Sequence, residues 1–155
     1  MWPPSRKSKP TSPTGKNRVL LVDTNILLAL LVSSDWSQDA RALYSRDADW
    51  RSESHALVEL SNVLTRYVRV RKITVPQAVA ALDEAEALIG KGIYKASHGD
   101  ALEIAVKEGI SAYDARFVCA ARLLGVPLIT EDVKLRKAAP KLTCSLADAL
   151  TPNTP

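Results

Sequence analysis

Four acidic residues out of seventeen occupy positions that are hard to explain as solvated surface. Asp23 directly follows Val19–Val22, a short all-apolar run of the kind expected for a strand buried on both faces. In open parallel sheets, ligands bind beyond the carboxyl ends of the strands. An Asp in that position is equally suited to cap the helix that follows. Asp132 repeats the arrangement after the strand predicted at Pro127–Thr130 and has the same two readings. Two strands of one sheet ending in the same chemistry favour a shared site. Asp114 shares a helix face with Phe117, Val118 and Ala121 at about 100° per residue. A carboxylate in line with a core stripe needs a cation or strong hydrogen bonds, because burying it alone costs several kcal/mol or more. The alternative is a capping box with Ser111. Glu59 sits about 40° beyond the edge of a roughly 140° apolar face, with Asn62 and Arg66 on the same flank. It either reaches over a rim into a groove or is solvated, and in isolation the solvated state is the commoner one. Carboxylates on separate elements are hard oxygen donors, which suit Mg²⁺. Two His and two Cys, the latter at 119 and 144, make neither a zinc pattern nor a disulfide framework.

The elements that must position these acids alternate between two periodicities. Strands are predicted at Val19–Val22, Pro127–Thr130 and Leu142–Leu146. Helices are predicted at Asn25–Val32, Gln38–Ser45, His55–Arg71 with Ser54 as cap, Val75–Ile89, Asp100–Glu108, Ser111–Leu124 and Val133–Ala139. Gly109 and Gly125 close two of them. This alternation predicts an α/β layer fold with a mostly parallel sheet of four or five strands flanked by helices.

The 155 residues suffice for one domain with a real core. Residues 1–17 hold four of the nine prolines and four basic residues without an acid, and read as a disordered basic tail. The body, 18–150, carries balanced charge, so basic charge alone does not make it a nucleic-acid binder. Residues 151–155 read as a frayed end. Asp23 and Asn25 interrupt the apolar run after the tail, which argues against a signal peptide, and no run is long enough for a membrane span. A cytoplasmic protein is expected.

Taken together, the chain resembles the PIN-domain family, in particular the VapC-type toxins of toxin–antitoxin pairs, over about residues 19–148. The resemblance rests on Val22-Asp23-Thr24-Asn25, on Glu59-Leu60-Ser61-Asn62-Val63-Leu64, on Ser111-Ala112-Tyr113-Asp114-Ala115, and on Leu128-Ile129-Thr130-Glu131-Asp132 with Leu135. Each motif is short; the signal is all four in order. The Thr130-x-Asp132 register makes Asp132, not Glu131, the better match. The resemblance implies a three-layer sandwich and an Mg²⁺-dependent endoribonuclease, with Mn²⁺ able to substitute. Asp23 and Asp114 would be the principal metal ligands. Glu59 would ligate directly or through water, and Asp132 would hold a second metal or the attacking water. Asn25 and Thr130 would orient these groups, and Arg66, Arg69 and Lys134 would contact RNA. A homodimer inhibited by a small antitoxin protein covering the acidic groove is also implied.

The residues argue against a phosphoryl-accepting module built on Asp23. Dehalogenase-type phosphatases want a second acid where Asn25 stands, and receiver domains want an acidic pair where residues 16–19 read Lys, Asn, Arg, Val. A non-catalytic RNA-binding domain would be signalled by loss of an acid, and none is lost. A free-standing RNA-processing nuclease remains open beside the toxin. Leu57, Leu60, Leu64, Val79, Leu82 and Leu88 are expected either to form an exposed partner-binding patch or to pack together as a helix pair.

Overall fold

The structure is a computed structural model that describes residues 18–152. Five parallel strands form one sheet in the order β3-β2-β1-β4-β5: β1 (Leu20–Val22), β2 (Trp50–Glu53), β3 (Ile93–Tyr94), β4 (Leu128–Ile129) and β5 (Thr143–Cys144). β1 is central, with Leu21 opposite Arg51 on one side and Leu128 on the other. The chain first builds outward through β2 and β3, then returns to the other side of β1 for β4 and β5. The strand order therefore reverses between β1 and β4. In doubly wound sheets that switch point opens a crevice at the carboxyl edge. Asp23 and Thr130 stand on its two sides.

Helices are α1 (Thr24–Leu31), α2 (Ser37–Arg46), α3 (His55–Arg69), α4 (Val75–Ile89), α5 (His98–Glu108), α6 (Ala112–Leu124), α7 (Val133–Ala138) and α8 (Leu146–Leu150). α1 packs on α2 and α3, and α3 on α4, while α5 and α6 pair and α6 lies against β2 and β4. The main core gathers Leu21, Val22, Ile26, Trp50, Phe117, Val118, Leu128 and Ile129. A second cluster, Leu31, Leu60, Leu64, Ala81 and Ala85, seals α1, α3 and α4.

Several expectations are corrected. β2 and β3 have no counterpart among the predicted strands. β2 reads Trp-Arg-Ser-Glu, with no apolar run, yet Ser52 and Glu53 are fully buried because their polar atoms are satisfied internally. The Ser52 hydroxyl donates to the Val22 carbonyl at 2.6 Å. β3 is only two residues long, too short to leave a pattern. The predicted strand Leu142–Leu146 is shorter, and its last residue begins α8. α3 stops at Arg69, short of Arg71, where φ is +57° and no helix can continue. Gly109 and Gly125 take left-handed φ and close α5 and α6 as expected.

Ser54 does not cap α3. Its backbone is already helical, and its side chain makes no cap bond. The carboxylate of Glu53 takes that role, accepting from the His55 N–H. Glu53 also accepts from the Ala96 N–H at 3.0 Å, the Ser54 hydroxyl at 3.0 Å and the Arg116 guanidinium at 2.8 Å. One buried side chain thus ties the end of β2 to the start of α3, the segment before α5, and α6.

The expected apolar patch is mostly interior. Leu60 and Leu64 are buried and Leu57, Leu82 and Leu88 half-buried, because α3 and α4 pack as a pair. Val75 and Val79 remain exposed beside a groove of about 370 Å³ that Leu64, Val68, Ala78 and Leu82 also line.

Glu53→Ala would leave the half-buried Arg116 without its carboxylate partner and two backbone N–H groups unanswered. Urea unfolding should show a loss of about 3–5 kcal/mol. Glu53→Gln, which keeps an acceptor oxygen, should lose less. Equal stability of Glu53→Ala and the native chain would show that this carboxylate does not hold the elements together.

Candidate active site

Asp23 leaves the carboxyl end of the central strand with extended backbone, and its side chain caps α1. Oδ1 accepts from the Thr24 N–H at 2.6 Å, and Oδ2 from the Thr130 hydroxyl at 2.7 Å. The cap reading is the one seen, on the same side chain that Thr130 holds at the end of β4. Asp23 is 7% exposed. Burial pushes its carboxyl up to about 7, against the lowering effect of the Thr130 and Thr24 hydrogen bonds, and the negative charges of Glu59 and Asp114 raise it further.

Glu59 is not free on a solvated flank. Its Oε2 accepts from the Thr24 hydroxyl at 2.7 Å. Thr24 thus carries Asp23 on its N–H and Glu59 on its hydroxyl, which fixes α3 against the start of α1. His55, one turn earlier on α3, brings its Nε2 within 3.8 Å of Glu59 Oε1. Its ring stacks on Tyr113 with centroids 5.0 Å apart.

Asp114 is half-buried at the end of the stripe formed by the buried Phe117, Val118 and Ala121. Ser111 caps α6 by accepting the Asp114 N–H at 3.0 Å, and its hydroxyl donates back to Asp114 Oδ2 at 2.8 Å. Asp132 is the N-cap of α7, where Oδ1 accepts from the N–H groups of Lys134 at 2.8 Å and Leu135 at 3.0 Å. Its own N–H donates to the Thr130 hydroxyl at 3.1 Å, and that hydroxyl donates to Asp23. Asn25 bridges the same crevice. Its amide nitrogen donates to Thr130 Oγ1 at 3.2 Å, with Asp23 Oδ2 at 3.4 Å, and its oxygen accepts from the Glu131 N–H at 3.2 Å. Glu131 turns elsewhere, pairing with Arg136 at 3.0 Å and accepting the Leu146 N–H at 2.7 Å.

The fold thus brings Asp23, Glu59 and Asp114 within electrostatic range, and links Asp132 to Asp23 through Thr130. Each carboxylate rests on a neutral donor: Thr24, Thr130, Ser111 or the amides of α7. Among the described residues, no three His, Cys, Asp or Glu side chains form a ready metal cage in this arrangement. Arg66, Arg69 and Lys134 are exposed. At about 100° per residue, Arg66 stands two turns along α3 on the same side as Glu59, while Arg69 lines the α3–α4 groove and Lys134 adjoins the Asp132 cap.

Sequence reasoning missed Thr24, Glu53, His55 and Arg116. Thr24 lies inside the first motif but carries no charge. Glu53 lies in a strand that lacks apolar patterning. The signal for His55 was its i, i+4 spacing to Glu59 on one helix.

The family model described as PIN domain matches residues 20–141. Ribonuclease VapC3 of Pyrobaculum aerophilum is 28% identical over an alignment of 127 residues that covers 79% of this chain and 96% of that protein. The crystal structure of PAE2754 from Pyrobaculum aerophilum superposes with a TM-score of 0.68 at 20% identity, covering 84% of this chain and 94% of that one. At that identity the superposition speaks for the fold alone.

Asp23 makes stability pH-dependent in a definite direction. Its ordinary value is 3.8 and its folded value about 7, so between them the folded chain keeps a proton that the unfolded chain has released. The contribution is complete below the unfolded value and is lost as pH rises through the folded one, amounting to at most roughly 4 kcal/mol. Glu53, whose carboxyl burial raises but whose four donors hold below 4.5 on balance, acts only at more acid pH. In metal-free buffer, the thermal midpoint should fall between about pH 5 and about pH 7 and level off above that. Asp23→Asn should remove most of that fall and unfold at higher temperature than the native chain at the alkaline end. Parallel pH profiles for the two proteins would show that Asp23 is not the group responsible.

Proposed function

Since the chain belongs to the PIN domain family, we propose that it is a divalent-cation-dependent endoribonuclease acting at the crevice between β1 and β4. The observation that carries this reading is Asp23: a buried carboxylate, raised to about 7, with Glu59 and Asp114 as charged neighbours. Among the described residues no Lys or Arg pairs with these acids, and their oxygens are the ligands that Mg²⁺ and Mn²⁺ prefer. Asp23 and Asp114 would be the principal ligands, Glu59 would bind directly or through water, and Asp132 would hold a second ion or the attacking water. A cation held there supplies a water of lowered pKa and neutralises the charge developing on the phosphate and the leaving oxygen.

The chain's own residues do the positioning. Thr130 and Asn25 hold Asp23 and keep its second oxygen facing β4. The Thr24 hydroxyl holds Glu59 toward the same place, and Ser111 holds Asp114. A cation bound there would take the place of the proton on Asp23, since a carboxylate ligates in its deprotonated form. Arg66, Arg69 and Lys134 follow the RNA backbone as mobile cations.

Purified protein should cleave single-stranded RNA with Mg²⁺ or Mn²⁺ and stop in EDTA. Asp23→Asn and Asp114→Asn should each lose at least about a hundredfold in rate, the scale of losing a principal electrostatic group. Undiminished cleavage in EDTA would rule out the cation mechanism.

We further infer that the protein is the toxin of a type II toxin–antitoxin pair and works as a homodimer. The relative named Ribonuclease VapC3 supports this, as does the apolar groove between α3 and α4 with Val75 and Val79 exposed at its side. An acidic crevice on a domain with such a groove suits an amphipathic peptide ending in Arg or Lys. Among the described residues no helix is long and apolar enough to cross a membrane. Sizing at micromolar concentration should give a dimer, and a small co-encoded protein should bind and inhibit it. A clean monomer that no such protein inhibits would point instead to a free-standing processing nuclease.

A further inference from the structure

Tyr113 is 63% exposed, although it lies on α6 immediately before Asp114. Its ring is nonetheless held. The His55 imidazole, reaching from α3, stacks beneath it with centroids 5.0 Å apart and planes 17° from parallel. His55 is anchored in turn beside Glu59, with Nε2 3.8 Å from Oε1. An exposed tyrosine ordinarily keeps its rotamer freedom, and ordering it on ligand binding costs free energy. Here that ordering is done in advance, by a side chain belonging to the same crevice.

We propose that Tyr113, backed by His55, is a stacking platform for a nucleobase next to the scissile phosphate of single-stranded RNA. The proposal rests on the nuclease reading of the adjoining carboxylates. Three features select a base as the occupant. One face of the Tyr113 ring is covered by His55 and the residue remains mostly exposed, so a flat uncharged π-system can extend the stack. The ring stacks on His55, whose Nε2 lies 3.8 Å from Glu59 Oε1, so a phosphate held at the carboxylates places a neighbouring base beside it. The carboxylates repel phosphate unless a cation is present, whereas a base carries no charge to repel. Stacking of this kind is tolerant of sequence, because every base has a π-face. His55 is a positioning residue acting through Tyr113.

The test uses the full chain and a short single-stranded oligoribonucleotide of mixed sequence that the native protein cleaves. Tyr113→Ala and Tyr113→Leu should raise KM by about fivefold to 150-fold, the range for losing one stacked base, with a smaller change in kcat. Tyr113→Phe should restore the native KM, and His55→Ala should fall between. Anisotropy in the Asp23→Asn background should show the same order of affinities without cleavage. An abasic nucleotide walked along the RNA supplies a readout that a purely structural role would not move. At one position beside the cleavage point it should weaken binding to the native protein and leave Tyr113→Ala unaffected. If native protein cleaves but Tyr113→Leu keeps its KM and the abasic walk is flat, the platform is overturned while the nuclease stands, and Tyr113 belongs to a protein-binding surface instead. If native protein neither binds nor cleaves RNA with Mg²⁺, the nuclease reading fails and the platform falls with it.

Discussion

A carboxylate taken out of water must be answered by donors or by a cation, and this structure answers two buried carboxylates in different ways. Glu53 receives a guanidinium, two backbone N–H groups and a hydroxyl, and its carboxyl is held low. Asp23 receives one N–H and one hydroxyl, with a longer contact to Asn25, has two acids in range, and is pushed up to about 7. The first arrangement is complete within the protein and stabilises it. The second has fewer donors and two acids nearby, so its charge is left less well answered by the protein. The two lie at the carboxyl ends of neighbouring strands, so one sheet edge carries both the brace and the site.

The brace matters to the site because of what it connects. Glu53 fixes the first turn of α3, which carries Glu59, and grips Arg116 of α6, two residues after Asp114. Thr24 then closes the arrangement from the other side by holding Glu59 against the start of α1. The acids come from β1, α3, α6 and the turn after β4, and none is near another in sequence. Their mutual repulsion is opposed by packing that has no charge of its own: the cluster of Leu31, Leu60, Leu64, Ala81 and Ala85 behind α3, and Phe117 and Val118 beneath α6. Sites built in this way commonly trade stability for function.

Neutral hydroxyls donate to three of the four acids: Thr24 to Glu59, Thr130 to Asp23 and Ser111 to Asp114. A hydroxyl accepts as well as donates and rotates freely, so it holds a carboxylate in place without neutralising it. A lysine or arginine in those positions would neutralise the acids and compete with a cation. The arginines at this edge are engaged elsewhere, Arg116 with Glu53 at 2.8 Å and Arg136 with Glu131 at 3.0 Å, and not with Asp23 or Asp114.

How much of this was legible in the sequence follows from the range of the forces involved. Apolar periodicity is local, so β1, the long helices α3, α4 and α6, and the glycines ending α5 and α6 could be read directly, as could the parallel α/β class. The acids Asp23, Asp114 and Asp132 stood out because each interrupts or ends such a pattern. Strand β2 was not legible, since Ser52 and Glu53 are buried by partners 30 to 63 residues away, and no local pattern records that. Glu59 read as a surface residue in isolation for the same reason: its partner, Thr24, is 35 residues distant. The sequence by itself determined which chemistry was present, namely carboxylates at strand ends and helix starts. Only the tertiary structure decided which carboxylate is satisfied and which is left wanting charge, because desolvation and hydrogen bonding depend on what the fold packs against each group.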